Sequence, residues 1–303
     1  MNIGVLGVGS FGEKHIQVLK NIKKFNLIGF YDPKQKRAKE IEKKFTISAY
    51  QNIEELITKC DALDIVSNTA THFELLKLGI QNNKHIFIEK PICSDKHEIE
   101  KILKLTKNYN KVIQVGHIER YNPVMKSELE KRKKINSIIT QRTGLINNRN
   151  INTSITLDLM IHDIDLVVKM MECDIDKIDA SGEKKENGLY NHVVCTLHFK
   201  NGKKAKLTSS RGTKNHTVRT FQINCSRQTI NIDMLNREKI TTHNNKNIIE
   251  KFQTSNPLKA ELIDFYNNIT SKKKPKIGAK EACYATEIAL KIDEKIGNEI
   301  WEN

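Results

Sequence analysis

A glycine-rich turn between a strand and a helix, followed by a regular alternation of strands and helices, constrains this chain more than any other feature. Residues 3–6 read as a buried strand, and Gly7, Gly9 and Gly12 follow at the spacing G-x-G-x-x-G before an amphipathic helix. Further strand patterns lie at residues 27–31, near 48, and at 62–66, 85–88 and 112–115, with helical patterns between them. This alternation predicts an α/β domain with a doubly wound parallel sheet, the Rossmann arrangement.

The second half of the chain has a different pattern. A strand at residues 135–142 and a long helix at 153–171 precede several strand-like runs without intervening helices. These runs lie at residues 177–181, 190–199, 203–209, 217–224 and 229–234, with a hairpin turn at Asn201-Gly202 and a polar loop around 244–246. We therefore expect an α+β domain with a large, mainly antiparallel sheet. The predicted domains are 1–118 and 119–303, and the final helices at 258–269 and 279–296 can pack back on the first domain.

Composition excludes several classes of protein. The net charge of +15 comes from lysines spread over many helices, so it favours an anionic small ligand and argues against nucleic acid as a partner. The first residues resemble a strand and no segment reaches membrane-spanning length, which predicts a soluble cytoplasmic protein without a membrane partner. Six cysteines without C-x-x-C spacing are expected to be reduced thiols.

A metal site is not expected. His192, Cys195 and His198 are close in sequence, but they fall in a predicted strand. Successive side chains of a strand point to opposite faces, so the cysteine lies on the face opposite to both histidines and the three cannot converge on one ion.

The glycine turn predicts a dinucleotide site. Gly7 permits the tight turn, Gly9 lets a pyrophosphate approach the backbone, and Gly12 allows close packing of helix on strand. Asp32 follows Gly12 by about twenty residues and can accept hydrogen bonds from ribose hydroxyls while repelling a 2′-phosphate. The expected cofactor is NAD; Arg37 and nearby lysines leave NADP as the weaker alternative.

Two further motifs carry ionisable side chains. Glu89-Lys90-Pro91 ends an apolar strand, where open α/β sheets bind ligands, although an ion pair that closes the strand end is also consistent with it. Asp158, His162 and Asp165 share one face of the predicted helix. A carboxylate one turn before a histidine can orient the imidazole as a general base, and a solvated acidic face remains the alternative.

Together these residues resemble the Gfo/Idh/MocA family of nicotinamide-dependent sugar oxidoreductases over nearly the whole chain. The matching landmarks are the glycine turn, Asp32, residues 69–72, Glu89-Lys90-Pro91, Asp158-x-x-x-His162 and the final helices. The resemblance implies that Lys90 and His162 flank the reacting carbinol and that Asp158 orients His162. Asn68 departs from the proline that many members carry, which puts the shape of that loop in question.

The resemblance also implies the remaining site residues. Contacts with the cofactor are expected from Gly7, Gly9, Ser10, Phe11, Gly12, Asp32, Thr69, His72 and Glu89. Residues 116–123 and 158–165 look most like family members that oxidise C3 of UDP-N-acetylglucosamine, in pathways to 3-amino sugars of lipid A or other glycans. Candidate substrate residues are then Arg120, Tyr121, Arg142, Arg149 and Asp165. Arg142 and Arg149 are candidates to bind the diphosphate, and an ordinary role as surface cations is an equal alternative.

Three functions remain open from the sequence. The first is NAD-dependent oxidation of a nucleotide-linked N-acetyl sugar at C3; the second is oxidation of a free sugar or inositol. The third is a non-catalytic NAD-binding sensor, which would need neither Lys90 nor His162. The family resemblance implies a homodimer or homotetramer.

Overall fold

The structure, a computed structural model, describes residues 1–131, 133–145, 153–184, 190–212 and 217–298. The chain divides into two compact units. The first unit joins Met1–Ile118 to Asn256–Tyr284, and the second joins Glu119–Ser255 to Ala285–Asn303. Within the described residues, no helix combines the length and apolar character needed to cross a membrane.

The first unit contains a six-stranded sheet in which every pairing is parallel. Its strands are β1 (Asn2–Leu6), β2 (Asn26–Tyr31), β3 (Ala49–Tyr50), β4 (Ala62–Ile65), β5 (His85–Glu89) and β6 (Ile113–Gly116). Its helices are α1 (Ser10–Leu19), α2 (Gln35–Phe45), α3 (Ile53–Lys59), α4 (His72–Gln81) and α5 (Lys96–Thr106). The strand order β3-β2-β1-β4-β5-β6 confirms the predicted doubly wound sheet.

Helix α8 (Pro257–Thr270) packs on this sheet although it comes late in the chain. The ring of Phe265 lies 5.8 Å from that of Phe87 on β5 and 6.2 Å from that of Phe25, measured between centroids. Leu262 is fully buried in the same core. Burial of each such side chain contributes roughly 1.5–3 kcal/mol, which explains why the late helix completes the early domain.

The second unit contains an eight-stranded sheet in the order β14-β13-β12-β11-β7-β10-β9-β8. Its strands are β7 (Ile135–Leu145), β8 (Ile175–Lys184), β9 (Tyr190–Phe199), β10 (Lys204–Gly212), β11 (Arg219–Cys225), β12 (Thr229–Asp233), β13 (Glu238–His243) and β14 (Lys246–Lys251). Its shorter helix is α6 (Pro123–Leu129), and α9 (Ala279–Asn298) begins in the first unit and ends in the second. Among the described strands, all pairings in this sheet are antiparallel except that between β7 and β10, which confirms the predicted mainly antiparallel sheet.

Residues 244–246 are part of a hairpin that the sequence did not reveal. Asn244 and Asn245 both have positive φ, 47° and 59°, and they join β13 to β14 in a tight turn. Asparagine tolerates this conformation better than most residues, which suits the turn. All six residues of β14 are exposed, so the strand has no alternation of apolar and polar residues to predict it.

The helix predicted at residues 153–171 begins later and starts with a wide turn. Thr156–Met160 forms a π-helix, and α7 (Ile161–Met171) continues from it. Ser154 Oγ accepts hydrogen bonds from the backbone N–H groups of Thr156 and Leu157. A serine oxygen that accepts from these donors satisfies the first free N–H groups of a helix, so Ser154 marks where this helix begins.

Candidate active site

The glycine turn lies after β1 and has the geometry that dinucleotide binding requires. Gly7 has φ of +96°, and a Cβ at this position would lie 2.6 Å from the Cα of Ser67. A Cβ on Gly12 would lie 2.1 Å from the carbonyl oxygen of Gly7. Neither position therefore has room for a side chain: Gly7 lies against Ser67, and Gly12 lies against the backbone of Gly7.

Gly9 is different because a Cβ there would meet nothing within 4 Å. The packing of the chain does not require a glycine at this position, but a phosphate that approaches the backbone would. Gly9 caps α1, with Ser10 as its first residue and Phe11 half-buried behind it. The first N–H groups of a helix lack intrahelical acceptors, so this end of α1 suits the pyrophosphate of NAD.

Asp32 is held at the end of β2 by two backbone donors. Val8 N–H donates to Oδ2 at 2.8 Å, and Lys34 N–H donates to Oδ1 at 2.9 Å. Arg37 donates through Nε to the carbonyl of Val8, and its other nitrogens pair with Glu13 and Glu40. Since these carboxylates occupy the guanidinium, Arg37 does not offer a ready site for a 2′-phosphate, and the geometry favours NAD.

Thr69 and His72 lie after β4. Thr69 is half-buried and begins a short 3₁₀ helix, Thr69–Thr71. His72 is almost completely buried, with Nδ1 2.8 Å from the carbonyl oxygen of Pro91 and Nε2 3.2 Å from that of Ser67. Burial lowers the pKa of His72, and the neutral ring can donate to only one of these carbonyls at a time. This placement makes His72 a brace beneath the Lys90-Pro91 turn, and the contact with the cofactor expected of it stays a prediction.

The loop at Asn68 keeps the shape that a proline would give it. Asn68 has φ of −69°, inside the range that a proline ring imposes, and its side chain accepts a hydrogen bond from Ala70 N–H. The departure from the family pattern at this residue therefore leaves the local backbone unchanged.

Glu89 ends β5 within a buried cluster of ionisable groups. Its Oε1 lies 3.3 Å from His15 Nε2, and Nδ1 of the same imidazole lies 2.9 Å from Asp64 Oδ2. Burial opposes the charged imidazole, but Asp64 and then Glu89 outweigh it and raise the pKa of His15 to about 10. A Cβ on Gly116 would lie 2.5 Å from Glu89 Oε1, so this glycine makes room for the carboxylate.

Lys90 follows this cluster directly at the end of β5. Its side chain is half-buried, and its backbone N–H lies 3.3 Å from Glu89 Oε2. The carboxylate of Glu89 therefore contacts both the backbone of Lys90 and the charged imidazole of His15. The contact with the cofactor that was expected of Glu89 stays a prediction.

Asp158 and His162 lie in the second unit. Asp158 belongs to the π-helical turn and its side chain is 22% exposed, while His162 is half-buried in the first turn of α7. Residues four apart remain on one side of the helix through the wide turn. Arg211 NH2 lies 3.3 Å from Asp158 Oδ2, a contact that the sequence analysis missed.

Several predicted substrate residues are engaged inside the second unit. Arg120 makes a bidentate ion pair with Asp165, with N···O distances of 2.7 and 2.6 Å. The next residue, Tyr121, is buried. Arg142 is 2% exposed and donates to Asp163 through Nε and NH2 and to Glu119 through NH1. The diphosphate role expected for Arg142 does not agree with this geometry, because these carboxylates occupy its donors. Arg149 lies outside the described residues.

Sequence reasoning also missed the buried partners of the expected site residues. They are His15, Asp64 and Glu261 in the first unit, and Arg211 and the half-buried Asp293 in the second. The available signal was a charged residue on an otherwise apolar face, such as Asp64 within the strand sequence ALDI. His192, Cys195 and His198 lie on β9 with the alternation of faces that the strand predicted.

Comparison with known proteins agrees with the fold and the glycine turn. Residues 1–117 match the oxidoreductase family with an NAD-binding Rossmann fold, and residues 135–231 match the GFO/IDH/MocA C-terminal domain. The UDP-N-acetylglucosamine 3-dehydrogenase of Acidithiobacillus ferrooxidans is 25% identical over 282 residues, which cover 89% of each chain. The myo-inositol 2-dehydrogenase of Thermotoga maritima is 27% identical, covering 70% of this chain and 69% of that one.

A solved structure of the Acidithiobacillus ferrooxidans enzyme superposes with a TM-score of 0.92 at 24% identity, covering 98% of this chain and 97% of that chain. Both units therefore have the architecture of a known dehydrogenase. The parallel sheet and the glycine turn agree with the NAD-binding Rossmann fold by which the matching family is described. The chain belongs to the Gfo/Idh/MocA family of NAD-dependent oxidoreductases.

Proposed function

We propose that this oxidoreductase removes a hydride from C3 of UDP-N-acetylglucosamine and forms the 3-keto sugar. The observation that carries the proposal is the end-to-end similarity to the UDP-N-acetylglucosamine 3-dehydrogenase, which extends through both units. The similarity to the inositol dehydrogenase covers less of the chain, so oxidation of an inositol or free sugar is the second candidate. Lys90, Asp158 and His162 are all present, which argues for catalysis over a sensor role.

Three side chains of this protein carry the proposed chemistry. His162 accepts the proton of the sugar hydroxyl through a ring nitrogen, and Asp158 orients the imidazole for that transfer. The ammonium group of Lys90 stabilises the negative charge that develops on the same oxygen. Gly9 and the first turn of α1 hold the pyrophosphate, and Asp32 holds the ribose. Bound NAD supplies the hydride acceptor, so one alcohol becomes one ketone with release of one proton.

The remaining parts of the expected site follow from these roles. Thr69 lies at the same edge of the sheet as Asp32 and Lys90, because all three follow the carboxyl ends of parallel strands of the first unit. Glu89 positions Lys90, and His72 braces the turn that follows it. On the side where the substrate would bind, the ion pair between Arg120 and Asp165 and the buried ring of Tyr121 support the local backbone.

Isotope transfer tests the proposal most directly. Purified protein is supplied with NAD and with UDP-N-acetylglucosamine that carries deuterium at C3, and the NADH formed is analysed by mass spectrometry. We expect one deuterium in the reduced cofactor and a ketone at C3. Parallel reactions contain free N-acetylglucosamine, myo-inositol and scyllo-inositol. Turnover of an inositol without turnover of the nucleotide sugar would overturn the choice of substrate, and NAD binding without any turnover would favour the sensor.

Substitutions of the proposed catalytic residues separate chemistry from binding. Lys90→Met and His162→Gln should each lower kcat by roughly 10²- to 10⁴-fold, the usual contribution of a positioned acid–base group. NAD affinity, measured by calorimetry, should stay within a few-fold. Lys206→Gln removes an exposed cation from β10 and serves as the matched control. Near-normal turnover in either variant would remove that residue from the mechanism.

We also propose that the chain forms a homodimer or homotetramer in the cytoplasm. The outward face of the eight-stranded sheet carries Ile139 at 42% exposure, an apolar residue on a broad surface that a second copy can cover. All six cysteines are free thiols, which suits a reducing compartment. Light scattering on wild-type protein and Ile139→Lys should give an oligomer and a smaller species, respectively.

A further inference from the structure

Arg211 is a charged residue on the buried face of a strand, and the proposed reaction gives it no role. It follows Ala205, Leu207 and Ser209 along the inward face of β10, and its side chain is 2% exposed. A guanidinium remains charged under all ordinary conditions and is costly to bury without anionic partners. Its contacts should therefore explain why it is there.

Those contacts lie at the start of the helix that carries the proposed base. Arg211 NH2 donates to the carbonyl of Thr153 at 2.6 Å and lies 3.3 Å from Asp158 Oδ2. The first contact fixes the backbone just before the π-helical turn. The second contact places a permanent positive charge beside the carboxylate of Asp158, four residues before His162.

Other charged groups around this helix have partners of their own. Asp293 on α9 accepts hydrogen bonds from Ser154 Oγ and Thr156 Oγ1, each at 2.6 Å, and burial raises its pKa. Lys204 and Lys206, also on β10, are exposed. Further charged groups of the described residues form ion pairs with one another: Asp163 with Arg142, Glu119 with Arg142 and Arg219, Asp165 with Arg120, and Lys169 with Glu172.

We propose that Arg211 is a positioning residue that holds Asp158 and, through this carboxylate, favours the form of His162 that can accept the hydroxyl proton. This inference rests on the proposed oxidation for its consequence, but the contact itself does not. A carboxylate beside an imidazole stabilises the imidazolium form. If that carboxylate acted alone, it would favour the imidazolium form of His162 more strongly, which works against the role of a base.

Arg211 limits this effect by competing for the same carboxylate. Asp158 still orients the ring, but part of its negative charge is already balanced by the guanidinium. A general base works best when its pKa lies near the working pH, so the arginine adjusts the Asp158–His162 pair to that range. Arg211 also ties Asp158 to the backbone of Thr153, which fixes the direction of the carboxylate.

The test compares Arg211→Gln with Arg211→Lys and with Lys206→Gln, which removes a cation from the exposed face of the same strand. Histidine labelled with ¹³C reports the protonation of His162 by NMR, and its signal is assigned by its loss in His162→Gln. In R211Q the midpoint of the His162 titration should rise by about one pH unit, as expected when a cation is removed from the vicinity of a carboxylate. In R211K the midpoint should lie close to the wild-type value, because lysine keeps the positive charge. In Lys206→Gln the midpoint should equal that of wild type.

The kinetic readout should move in parallel. The acidic limb of the pH profile of kcat/KM should shift upward in R211Q by the same amount, while NAD affinity stays within a few-fold. An unchanged or lowered His162 midpoint in R211Q would overturn the proposal. If R211Q does not fold, R211K still decides, because its weaker hold on Asp158 should give a smaller shift in the same direction. If no sugar is oxidised, the titration still tests Arg211 while the proposed function fails separately.

Discussion

Each unit of the chain contains a cluster of ionisable side chains in its interior. The positively charged group is a histidine in one cluster and an arginine in the other. The first-unit cluster consists of His15, Asp64, Glu89 and Glu261. The second-unit cluster consists of the buried Arg142, Glu119 and Asp163, and the partly exposed Arg219 pairs with Glu119 at its edge. Carboxyl groups outnumber the single imidazole in the first cluster, whereas two arginines balance two carboxylates in the second.

This difference decides how each cluster responds to pH. Burial works against the charge on Arg142, but Asp163 and Glu119 outweigh it and raise its pKa further above the ordinary range. Burial works against the charge on Glu119, yet Arg142 and Arg219 hold the pKa of that carboxyl below its usual value. Burial raises the pKa of Asp163, and Arg142 offsets this only in part. The second-unit cluster therefore sets a permanently charged guanidinium against its carboxyl groups, while the first-unit cluster relies on a titratable imidazole.

The largest effect is expected from removing the cation of the second-unit cluster. Arg142→Met should destabilise the protein by about 3–5 kcal/mol, because it leaves buried carboxylates without a partner. Urea unfolding at neutral pH measures the change, and Arg227→Met, at an exposed arginine, should stay within about 0.5 kcal/mol of wild type. A loss below about 1 kcal/mol for Arg142→Met would mean that the cluster does not hold the unit together.

A smaller, pH-dependent effect is expected from His15→Leu. Asp64 can take up a proton when its partner is lost, so the cost should be about 1–3 kcal/mol at pH 6.5. The folded pKa of His15, about 10, lies above the unfolded value of 6.5. Its contribution is therefore complete below pH 6.5 and is lost as the pH rises through 10.

Urea midpoints of wild type and His15→Leu, measured from pH 6.5 toward pH 10, check this sign. The difference between the two proteins should shrink as the pH increases. His97→Leu, at an exposed histidine on α5, is the matched control and should give a small, flat difference. A constant difference for His15→Leu would show that the imidazole is not charged in the folded protein.

The same comparison explains how much the sequence could predict. The strand–helix alternation and the glycine turn predicted the parallel sheet, because each depends on residues near one another in the chain. His15 and Asp64 are 49 residues apart, and no local pattern pairs them. Asp64 within a buried strand was the only warning that an ionic partner must exist.

The second unit was harder to predict for a related reason. Arg142 looked like a candidate for phosphate because arginine forks bind phosphate well, but the same fork suits the buried carboxylate of Asp163. The choice between an internal and an external partner depends on tertiary packing. Arg211 follows the same logic, since its position on the inward face of β10 can be read only once the register of the strand is known.

The smallest effect is expected at Glu261, where the substitution should stabilise the protein and not destabilise it. Burial, and then the nearby charge of Glu89, raises the pKa of Glu261 well above its usual value, so the folded state retains a proton that the unfolded state releases. Stability is therefore lost as the pH rises above about 4.5, the ordinary pKa of a glutamate. Glu261→Gln keeps the shape of the side chain and cannot ionise, so it should remove this loss.

We expect Glu261→Gln to match wild type near pH 5 and to be more stable at pH 8, by roughly 0.5–2 kcal/mol, the range of single stabilising substitutions. Urea unfolding at both pH values measures the gain, and Glu100→Gln, at an exposed position of α5, should give none. A destabilised Glu261→Gln at pH 8 would mean that Glu261 is ionised in the folded protein. Glu261 would then hold no proton in this pH range, and the contrast between the two clusters would rest on the imidazole of His15.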